Sequence, residues 1–504
     1  MGVRIDKDFP LQTLAQALES NSFDLVFLNY GNGSDDIKRN AYLLENVIQW
    51  VNQQTAAAGS TQKNIVVGVS MGGLVSRYAL RDMEVRNVNH NTRLYASIDS
   101  PHQGANIPLG FQAAIRFMGG LKFLGVSLAG ANPELQRGIK ALNSPAATQM
   151  ITYQLSGQGN AITLNNAPYL NFMNEYRNMG LPRQWGIRTL AVASGSECGI
   201  TQGFAPNSVM LSGNGSQDLN YFLAIYASFI VDGPLGFFES FFSTDTELRA
   251  DLTVRALPNQ EVKPIFNTRI RYTKEVLFGL YTTSTDLINF TFNSTANLLP
   301  LDSNPGGKFD VNNFATIPTN ISFINLNLTQ SVFSFIPTTS SLDVGGGAQP
   351  ITNTDYLRAY SPTAPPAAPK NIPFNNFFSN PLANENHVQL TKQNGNWLLQ
   401  EALGTPAFYS CSYQCAGTDI LPSINFPSLV CANSTPLSIN NYASGSSISW
   451  SSNTAGLSIS PGTINNTTAT RVNNFNGQVT ITATVNSPCG SVNVSPLTIS
   501  VGSG

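Results

Sequence analysis

The stretch Val66-Val67-Gly68-Val69-Ser70-Met71-Gly72-Gly73-Leu74 decides the fold of this 504-residue chain. Residues 64–67, at its start, are uncharged and rich in β-branched side chains, which predicts a buried central strand of a parallel sheet. Residues 74–83 carry apolar side chains at helical spacing, which predicts a helix. The serine of this G-x-S-x-G pentapeptide therefore lies on a sharp turn from strand to helix, a context in which the motif presents a nucleophile.

The two glycines of the pentapeptide suit such a turn. A side chain at Gly68 or Gly72 is expected to collide where the strand and the helix pass closely. The backbone at Ser70 is expected to be strained, as at other nucleophilic serines on turns of this kind.

A nucleophilic serine needs a base, and the chain contains three histidines. His90 lies in a polar loop between the predicted helix and the next strand, so we expect a surface residue on the side of the sheet away from Ser70. His102 directly follows the predicted strand 94–98, soon after the serine. His387 comes late, just ahead of a predicted closing helix, which is where the chain order serine, acid, histidine requires the base.

These segments resemble bacterial lipases and esterases of the α/β-hydrolase fold, and more narrowly large secreted lipase-like proteins that carry C-terminal immunoglobulin-like domains. The resemblance covers residues 68–80, residues 99–108 and the His387 segment. Pro101-His102-Gln103-Gly104 matches a Pro-His-x-Gly sequence in which the histidine of such lipases is structural. The resemblance thus implies that His387 is the base, with His102 as the alternative.

Four carboxylates are candidates for the acid that orients the histidine. Asp99 ends the strand next to the predicted nucleophile strand, and the sheet geometry favours it. Asp343 follows a segment similar to the Val-Pro-x-x-Ser segment that lies just after the acid in many lipases, and Glu197 follows the later strand 189–193. Asp302 is expected to be a turn residue whose side chain bonds its own backbone.

The resemblance also implies an oxyanion hole. Its first donor would be the backbone N–H of Met71, and its second would come from a loop after the third strand of the fold. The first convincing strand of this chain is Phe23–Tyr30, followed by a helix from Asp35 to Trp50. Counting back from Ser70, we therefore expect the strand with the second donor to lie upstream of residue 1, and the chain to be truncated there.

The C-terminal residues 415–504 have a different character from the rest. Ser, Thr, Asn and Gly alternate with apolar residues in short runs such as 447–450 and 479–485, which predicts an antiparallel sandwich. The segment resembles the immunoglobulin-like repeats of bacterial surface enzymes, with Trp450 as its core anchor.

The chain has five cysteines. Cys431 and Cys489 fall at the two ends of the C-terminal module, and a disulfide between them would suit an oxidising compartment. A second disulfide would close the short loop from Cys411 to Cys415, and Cys198 is expected to be a buried thiol. Metal binding by these cysteines is disfavoured because they lack a nearby histidine and a paired C-x-x-C.

Two long insertions are expected in the first domain. Residues 105–180 are apolar on more than one face, which suits either a lid over an acyl pocket or a pair of ordinary buried helices. Residues 203–318 contain alternating runs at 247–257 and 265–272, which could pair as a hairpin over the core.

Composition limits the partners of the chain. Charged residues make up 11% of it, with 27 Lys plus Arg against 29 Asp plus Glu, so no basic surface favours nucleic acid or an anionic membrane. No apolar run reaches the ~18 residues that a membrane-spanning helix needs. No cofactor and no metal are expected, and the implied partner is an ester or lipid-like substrate.

The sequence therefore predicts an α/β fold: an α/β-hydrolase domain over residues 1–404, with a doubly wound, mostly parallel sheet, followed by an all-β immunoglobulin-like sandwich over residues 415–504. The predicted function is a secreted, extracellular or cell-surface serine ester hydrolase of lipase type, acting through Ser70, His387 and Asp99. Two alternatives remain open: an acyltransferase with the same triad, and an inactive hydrolase scaffold that binds a surface or a polymer through its C-terminal domain.

Overall fold

The computed structural model describes residues 11–123, 126–127, 133–197, 199–218, 243–276, 281–313, 320–321, 324–347, 372–380, 383–405, 423–430, 434–440, 447–463, 466–487 and 490–502. All five cysteines, and with them both predicted disulfides, lie outside these described residues.

Helices are concentrated in the first half of the described chain. They are α1 (Leu11–Ser20), α2 (Ile37–Ala57), α3 (Met71–Val85), α4 (Leu109–Gly120), α5 (Pro133–Leu142), α6 (Pro145–Met150), α7 (Ala167–Met179), α8 (Thr338–Ser341) and α9 (Lys392–Leu403). The strands are β1 (Asn64–Val69), β2 (Thr92–Ile98), β3 (Lys122–Phe123), β4 (Val126–Ser127), β5 (Leu155–Ser156), β6 (Thr163–Leu164), β7 (Arg188–Ala193), β8 (Val209–Asp218), β9 (Ser243–Arg255), β10 (Pro264–Val276), β11 (Tyr281–Asn293), β12 (Gly306–Asp310), β13 (Asn320–Ile321), β14 (Ile324–Leu328), β15 (Val332–Pro337), β16 (Asn376–Ser379), β17 (Ser423–Asn425), β18 (Leu429–Val430), β19 (Ser434–Asn440), β20 (Ser447–Ser452), β21 (Leu457–Ser460), β22 (Thr467–Arg471), β23 (Gly477–Ser487) and β24 (Gly490–Val501).

A parallel sheet in the order β1-β2-β7-β16 is the centre of the α/β part. Successive side chains of a strand point to opposite faces, so Leu190 and Val192 of β7 lie on one face while Ala191 and Ala193 lie on the other. The first face packs against α1 and α9, whose Trp397 is fully buried. The second packs against α2, α3 and α7. The predicted α/β class is confirmed at this level, as a parallel sheet covered by helices on both faces.

A second sheet, in the order β11-β10-β9-β8-β14-β13, is antiparallel. The predicted hairpin of residues 247–257 with 265–272 is confirmed, because β9 pairs with β10 and Val254 lies opposite Phe266. Helix α4 packs against these two strands so closely that a Cβ at Gly110 would lie 2.6 Å from the Arg255 carbonyl oxygen. Among the smaller sheets, β12 pairs with β15, β3 with β4 and β5 with β6.

Two four-stranded sheets follow in the C-terminal part, in the orders β17-β19-β22-β21 and β18-β24-β23-β20. Their pairings are antiparallel except that β18 runs parallel to β24. Apolar residues from both sheets form one core, and Trp450, the expected core anchor, is buried in it.

The predicted strand Phe23–Tyr30 is wrong, because these residues join no ladder among the described residues. Leu28 and Tyr30 pack against the core formed with α2 and α3, while Phe27 is 74% exposed. Alternating apolar residues give a segment two faces, but a strand also needs a neighbour with which to exchange hydrogen bonds. The helix predicted after it is confirmed as α2, which begins after Asp36 and continues seven residues beyond Trp50.

Within the described residues, no helix combines the length and the apolar character needed to cross a membrane.

Candidate active site

Ser70 lies on the turn that the sequence predicts. Strand β1 ends at Val69, α3 begins at Met71, and Ser70 between them has φ 53° and ψ −127°. A non-glycine residue with positive φ is strained, and such residues persist only where the surroundings fix them. Here the Ser70 N–H donates to the Ile98 carbonyl oxygen at 2.8 Å, which ties the turn to the neighbouring strand β2.

The glycines around Ser70 do not all have the expected reason. A Cβ at Gly68 would lie 2.5 Å from the Gly72 carbonyl oxygen, as expected for a tight turn. A Cβ at Gly72 would meet nothing within 4 Å, so the expected collision there is wrong. The second glycine that packing requires is Gly73, where a Cβ would lie 2.0 Å from Ser100 Oγ and 2.6 Å from Ser97 Oγ. Helix α3 thus approaches the end of β2 through Gly73.

His387 connects the serine to a carboxylate. It follows β16 and precedes α9, and its Nε2 lies 2.8 Å from Ser70 Oγ. Its Nδ1 lies 2.7 Å from Asp99 Oδ2. With the proton on Nδ1, the imidazole donates to the carboxylate and its Nε2 accepts from the serine hydroxyl, which is the arrangement that a general base needs. The ring of Phe335 packs edge-on against the imidazole, with centroids 4.8 Å apart.

Asp99 reaches His387 from the C-terminal end of β2. Strands β1, β2 and β7 run parallel side by side, so Ser70, Asp99 and Ser194 come together where these strands end. Asp99 is fully buried, and its Oδ1 accepts the backbone N–H of Ser194 at 3.0 Å. Its backbone has φ 44°, and its N–H donates to Val192 O at 2.6 Å. The carboxylate is therefore held from the side opposite to the histidine.

Asp343, the second candidate acid, has other partners. Its Oδ2 lies 2.6 Å from Arg77 Nη1 and its Oδ1 accepts from Gln103 Nε2 at 3.0 Å. Burial opposes ionisation, but the positive charge of Arg77 holds the pKa of Asp343 below its usual value. One oxygen of this carboxylate thus forms a buried ion pair with α3 and the other accepts from Gln103, and the structure does not bring Asp343 to His387.

The remaining candidates are also placed elsewhere. Glu197 is fully buried beyond β7, where its backbone N–H donates to Asn380 O. The Asp302 carboxylate accepts from Asn106 Nδ2 at 3.0 Å and from the Leu257 N–H at 2.7 Å, so the expected bond to its own turn backbone is wrong. The turn is buried against the end of β9, and burial raises the pKa of Asp302 to about 6 against the opposing effect of these hydrogen bonds.

His102 is enclosed in the protein interior. Its Nε2 lies 2.8 Å from Ser97 Oγ, and its Nδ1 lies 2.7 Å from the Tyr176 hydroxyl oxygen. Burial, assisted by the nearby charge of Arg77, lowers the pKa of His102 to about 3. The imidazole is therefore neutral at ordinary pH and joins β2 to α7.

The surface position predicted for His90 is wrong, because the residue is completely buried. Its Nδ1 accepts the Thr92 N–H at 3.1 Å, and its ring lies 5.0 Å from the ring of Trp185, centroid to centroid. The polar sequence of the loop suggested exposure, whereas the short helical turn at 184–186 covers it. Neither His90 nor His102 contacts Ser70.

Asn384 was not singled out from the sequence. Its Oδ1 accepts the backbone N–H groups of Ser196 at 2.8 Å and of Gly306 at 3.1 Å. Its Nδ2 donates to the carbonyl oxygens of Ile200 and Thr201. One amide thus ties the His387 segment to the ends of β7 and β12. Asparagine is common in turns, so the sequence carries no signal that separates this residue from its neighbours.

Met71 is the first residue of α3, and its N–H lies at the helix N-terminus, where backbone donors have no intrahelical acceptor. Positive partial charge collects at this end of a helix, directly beside Ser70. Among the described residues, no group of three or more histidine, cysteine, aspartate or glutamate side chains could hold a metal ion.

Comparisons with known proteins give few likenesses. No family model matches the chain, and no curated protein matches it. Two solved structures of the Bacillus licheniformis lipase BlEst2 are similar to it. The mature form is 20% identical with a TM-score of 0.21, and the match covers 36% of this chain and 58% of that one. The propeptide form is 10% identical with a TM-score of 0.28, and the match covers 97% and 88%. The chain thus spans 58% of the mature lipase, and at these TM-scores neither likeness bears on its function.

Proposed function

We propose that the protein is a serine carboxylic-ester hydrolase of the lipase or esterase type. The observation that carries this proposal is the continuous hydrogen-bonded chain from Ser70 Oγ through His387 to the buried carboxylate of Asp99, with 2.8 Å and 2.7 Å separations. A serine on a strained turn from strand to helix, paired with a base that a third group orients, is the arrangement of nucleophilic acyl transfer.

Each half of the proposed reaction moves one proton through His387. In the first half, Ser70 Oγ attacks the ester carbonyl carbon while the imidazole takes the hydroxyl proton, and Asp99 stabilises the resulting imidazolium. The tetrahedral intermediate expels the alcohol, which receives that proton. In the second half, water attacks the acyl-enzyme and gives a proton to the imidazole. The carboxylic acid leaves, and the proton returns to Ser70 Oγ.

Met71 is proposed to supply one oxyanion donor. Its N–H is the backbone donor of the residue after the nucleophile, and the N-terminus of α3 adds a favourable dipole for negative charge. Loss of one such donor typically costs on the order of 3 kcal/mol of transition-state stabilisation.

We extend the proposal to the fold family and the compartment. The parallel sheet with helices on both faces, and Ser70 directly after β1, are compatible with an α/β-hydrolase domain. The two C-terminal sheets around one core are compatible with an immunoglobulin-like accessory module. We propose that this module accompanies a secreted or surface-bound enzyme, as the resemblance implies.

A covalent probe tests the nucleophile directly. A fluorophosphonate reagent should label the wild type at Ser70 and leave Ser70→Ala unlabelled, with the labelled peptide identified by mass spectrometry. A panel of p-nitrophenyl esters of increasing acyl length should be hydrolysed by the wild type and not by Ser70→Ala. Labelling at another residue, or equal hydrolysis by both proteins, would refute the proposed function.

A further inference from the structure

The backbone of Gly307 lies directly against the carboxylate of Asp99. A Cβ at Gly307 would be 2.2 Å from Asp99 Oδ2, the oxygen that faces His387, and 3.1 Å from Asp99 Cγ. Real Cβ atoms essentially never approach another heavy atom within about 3.0 Å, so glycine is the residue that this approach permits. The Ser194 N–H holds the other oxygen of the same carboxylate. Asp99 is therefore enclosed between the end of β7 and the backbone of β12.

The next residue of the same strand holds the base. The Lys308 N–H donates to Glu385 O at 2.8 Å, and the His387 N–H donates to Lys308 O at 2.8 Å. Lys308 thereby forms a parallel bridge with Asn386. Because the two bonds lie on either side of Asn386, they fix the backbone from which the imidazole projects.

Strand β12 is itself anchored on its other sides. It pairs with β15, where Phe309 lies opposite Phe333. The Gly306 N–H donates to Asn384 Oδ1, and Gly306 O accepts from Gln202 Nε2 at 2.9 Å. A Cβ at Gly306 would lie 2.1 Å from Ser334 Oγ, so the strand packs closely against β15 at this residue. These contacts fix β12 against β15, against Gln202 and against the segment that carries His387.

We propose that β12 is a template that sets the distance between acid and base, with Gly307 as a positioning residue for Asp99 and the Lys308 backbone as the support of His387. The inference rests on the proposed function for its consequence in catalysis, since a misplaced acid would orient the imidazole poorly. It assigns a role to a strand that lies within the predicted insertion 203–318.

The test replaces Gly307 by alanine in the full chain. We expect kcat for a soluble p-nitrophenyl ester to fall by roughly 100-fold or more, because misplacement of catalytic groups by about 1 Å costs that much. KM should stay within about twofold, since the substrate is not contacted. The acid limb of the kcat/KM profile should move to lower pH, because a displaced carboxylate stabilises the imidazolium less.

Two further variants separate positioning from damage to the fold. Added to Asp99→Ala, the Gly307→Ala change should lower kcat no further, because the carboxylate it displaces is already gone. Gly110→Ala overlaps the Arg255 carbonyl oxygen rather than Asp99, so it should lower Tm without moving the acid limb. A wild-type kcat in Gly307→Ala, or the same loss in the Asp99→Ala background, would overturn the inference.

A proton resonance keeps this test independent of activity. The hydrogen bond from His387 Nδ1 to Asp99 should give a low-field imidazole proton signal in the wild type, which moves or vanishes in Gly307→Ala and persists in Gly31→Ala. A Cβ at Gly31 meets nothing within 4 Å. An unchanged signal in Gly307→Ala would refute the positioning role. If the signal responds to Gly307→Ala but the wild type shows no esterase activity, the positioning role stands and only the proposed function is refuted.

Discussion

Asp99 and Asp343 are both fully buried carboxylates, and their partners give them different tasks. Asp99 faces an imidazole that must gain and lose a proton, whereas Asp343 faces the permanent charge of Arg77. Replacing either by asparagine preserves shape and removes charge. Substitution of Asp99 should therefore affect mainly turnover, and substitution of Asp343 mainly stability.

For Asp99→Asn we expect kcat to fall by up to roughly 10⁴-fold, because the amide stabilises the wrong imidazole tautomer, while Tm changes little. For Asp343→Asn we expect a loss of about 3–5 kcal/mol in the free energy of unfolding, because Arg77 is left buried without its counter-charge. Ester hydrolysis and urea denaturation of both variants provide the measurement. A collapse of kcat confined to Asp343→Asn would move the acid to that residue.

His102 should make stability depend on pH. Its pKa is about 3 in the folded protein because of burial and the charge of Arg77, against about 6.5 in an unfolded chain. Between these values the unfolded state binds a proton that the folded state does not, so stability falls as pH falls from about 6.5 toward 3. Asp302 has a pKa of about 6 in the folded protein, so it makes stability rise as pH falls from about 6 to about 4. The effect of His102 must therefore be isolated by comparing the wild type with a His102 variant.

The comparison is wild type against His102→Asn, with denaturation measured from pH 6 to pH 4. As pH is lowered, the free energy of unfolding of the wild type should fall by about 1.4 kcal/mol per pH unit more than that of the variant, which corresponds to the uptake of one proton on unfolding. His102→Asn should also be less stable at pH 7, because two buried hydrogen bonds are disturbed. Identical slopes would show that the imidazole is protonated in the folded protein.

At the scale of an element, the turn between β1 and α3 depends on two of its three glycines. Gly68→Ala and Gly73→Ala should each lower the free energy of unfolding by about 1–3 kcal/mol. The added methyl group overlaps backbone atoms in the first variant and two serine side chains in the second. The methyl group of Gly72→Ala would occupy free space, so the higher helix propensity of alanine should raise the free energy of unfolding by up to about 1 kcal/mol. Thermal denaturation ranks the three, and a destabilised Gly72→Ala would contradict the packing described here.

Helix α4 distinguishes the two interpretations of residues 105–180. The ring of Phe117 is buried and stacks on Phe290 at 4.4 Å, with Phe266 at 5.7 Å, so α4 is integral to the core between the sheets. Phe117→Ala should therefore cost about 3–5 kcal/mol in unfolding free energy. If α4 were a mobile lid, Phe117→Ala would instead lower the hydrolysis of aggregated esters and leave the free energy of unfolding nearly unchanged. That result would contradict the core position of α4.

Sequence and structure agree where the reasoning depends on chain order and strand ends. The sequence was enough to predict that Ser70, Asp99 and His387 lie close together, because the carboxyl ends of parallel strands meet at one edge of a sheet. The role of Gly73 and the contacts of β12 could not be predicted, because they arise from backbone atoms of residues distant in the chain. The polar loop around His90 and the alternating residues 23–30 gave misleading signals, since burial and strand pairing depend on neighbours that a local pattern does not contain.

At the scale of the molecule, the C-terminal sheets have a core of their own, drawn from Val430 to Val501. We expect the full chain to show two unfolding transitions by calorimetry, one of which persists in a protein that ends at residue 405. That shortened protein should keep fluorophosphonate labelling at Ser70. A single transition shared by both parts, or loss of labelling on shortening, would show that the C-terminal part supports the site.

The distance along the chain between the partners of the site has a consequence for biosynthesis. Ser70 and His387 are separated by 317 positions, and Asp99 and His387 by 288. At ribosomal rates the base is made on the order of tens of seconds after the serine. A nascent polypeptide would thus carry an inert hydroxyl throughout most of its translation. Reactivity would begin only when β16 and the histidine behind it leave the exit tunnel, so stalled nascent chains should resist fluorophosphonate labelling until that point.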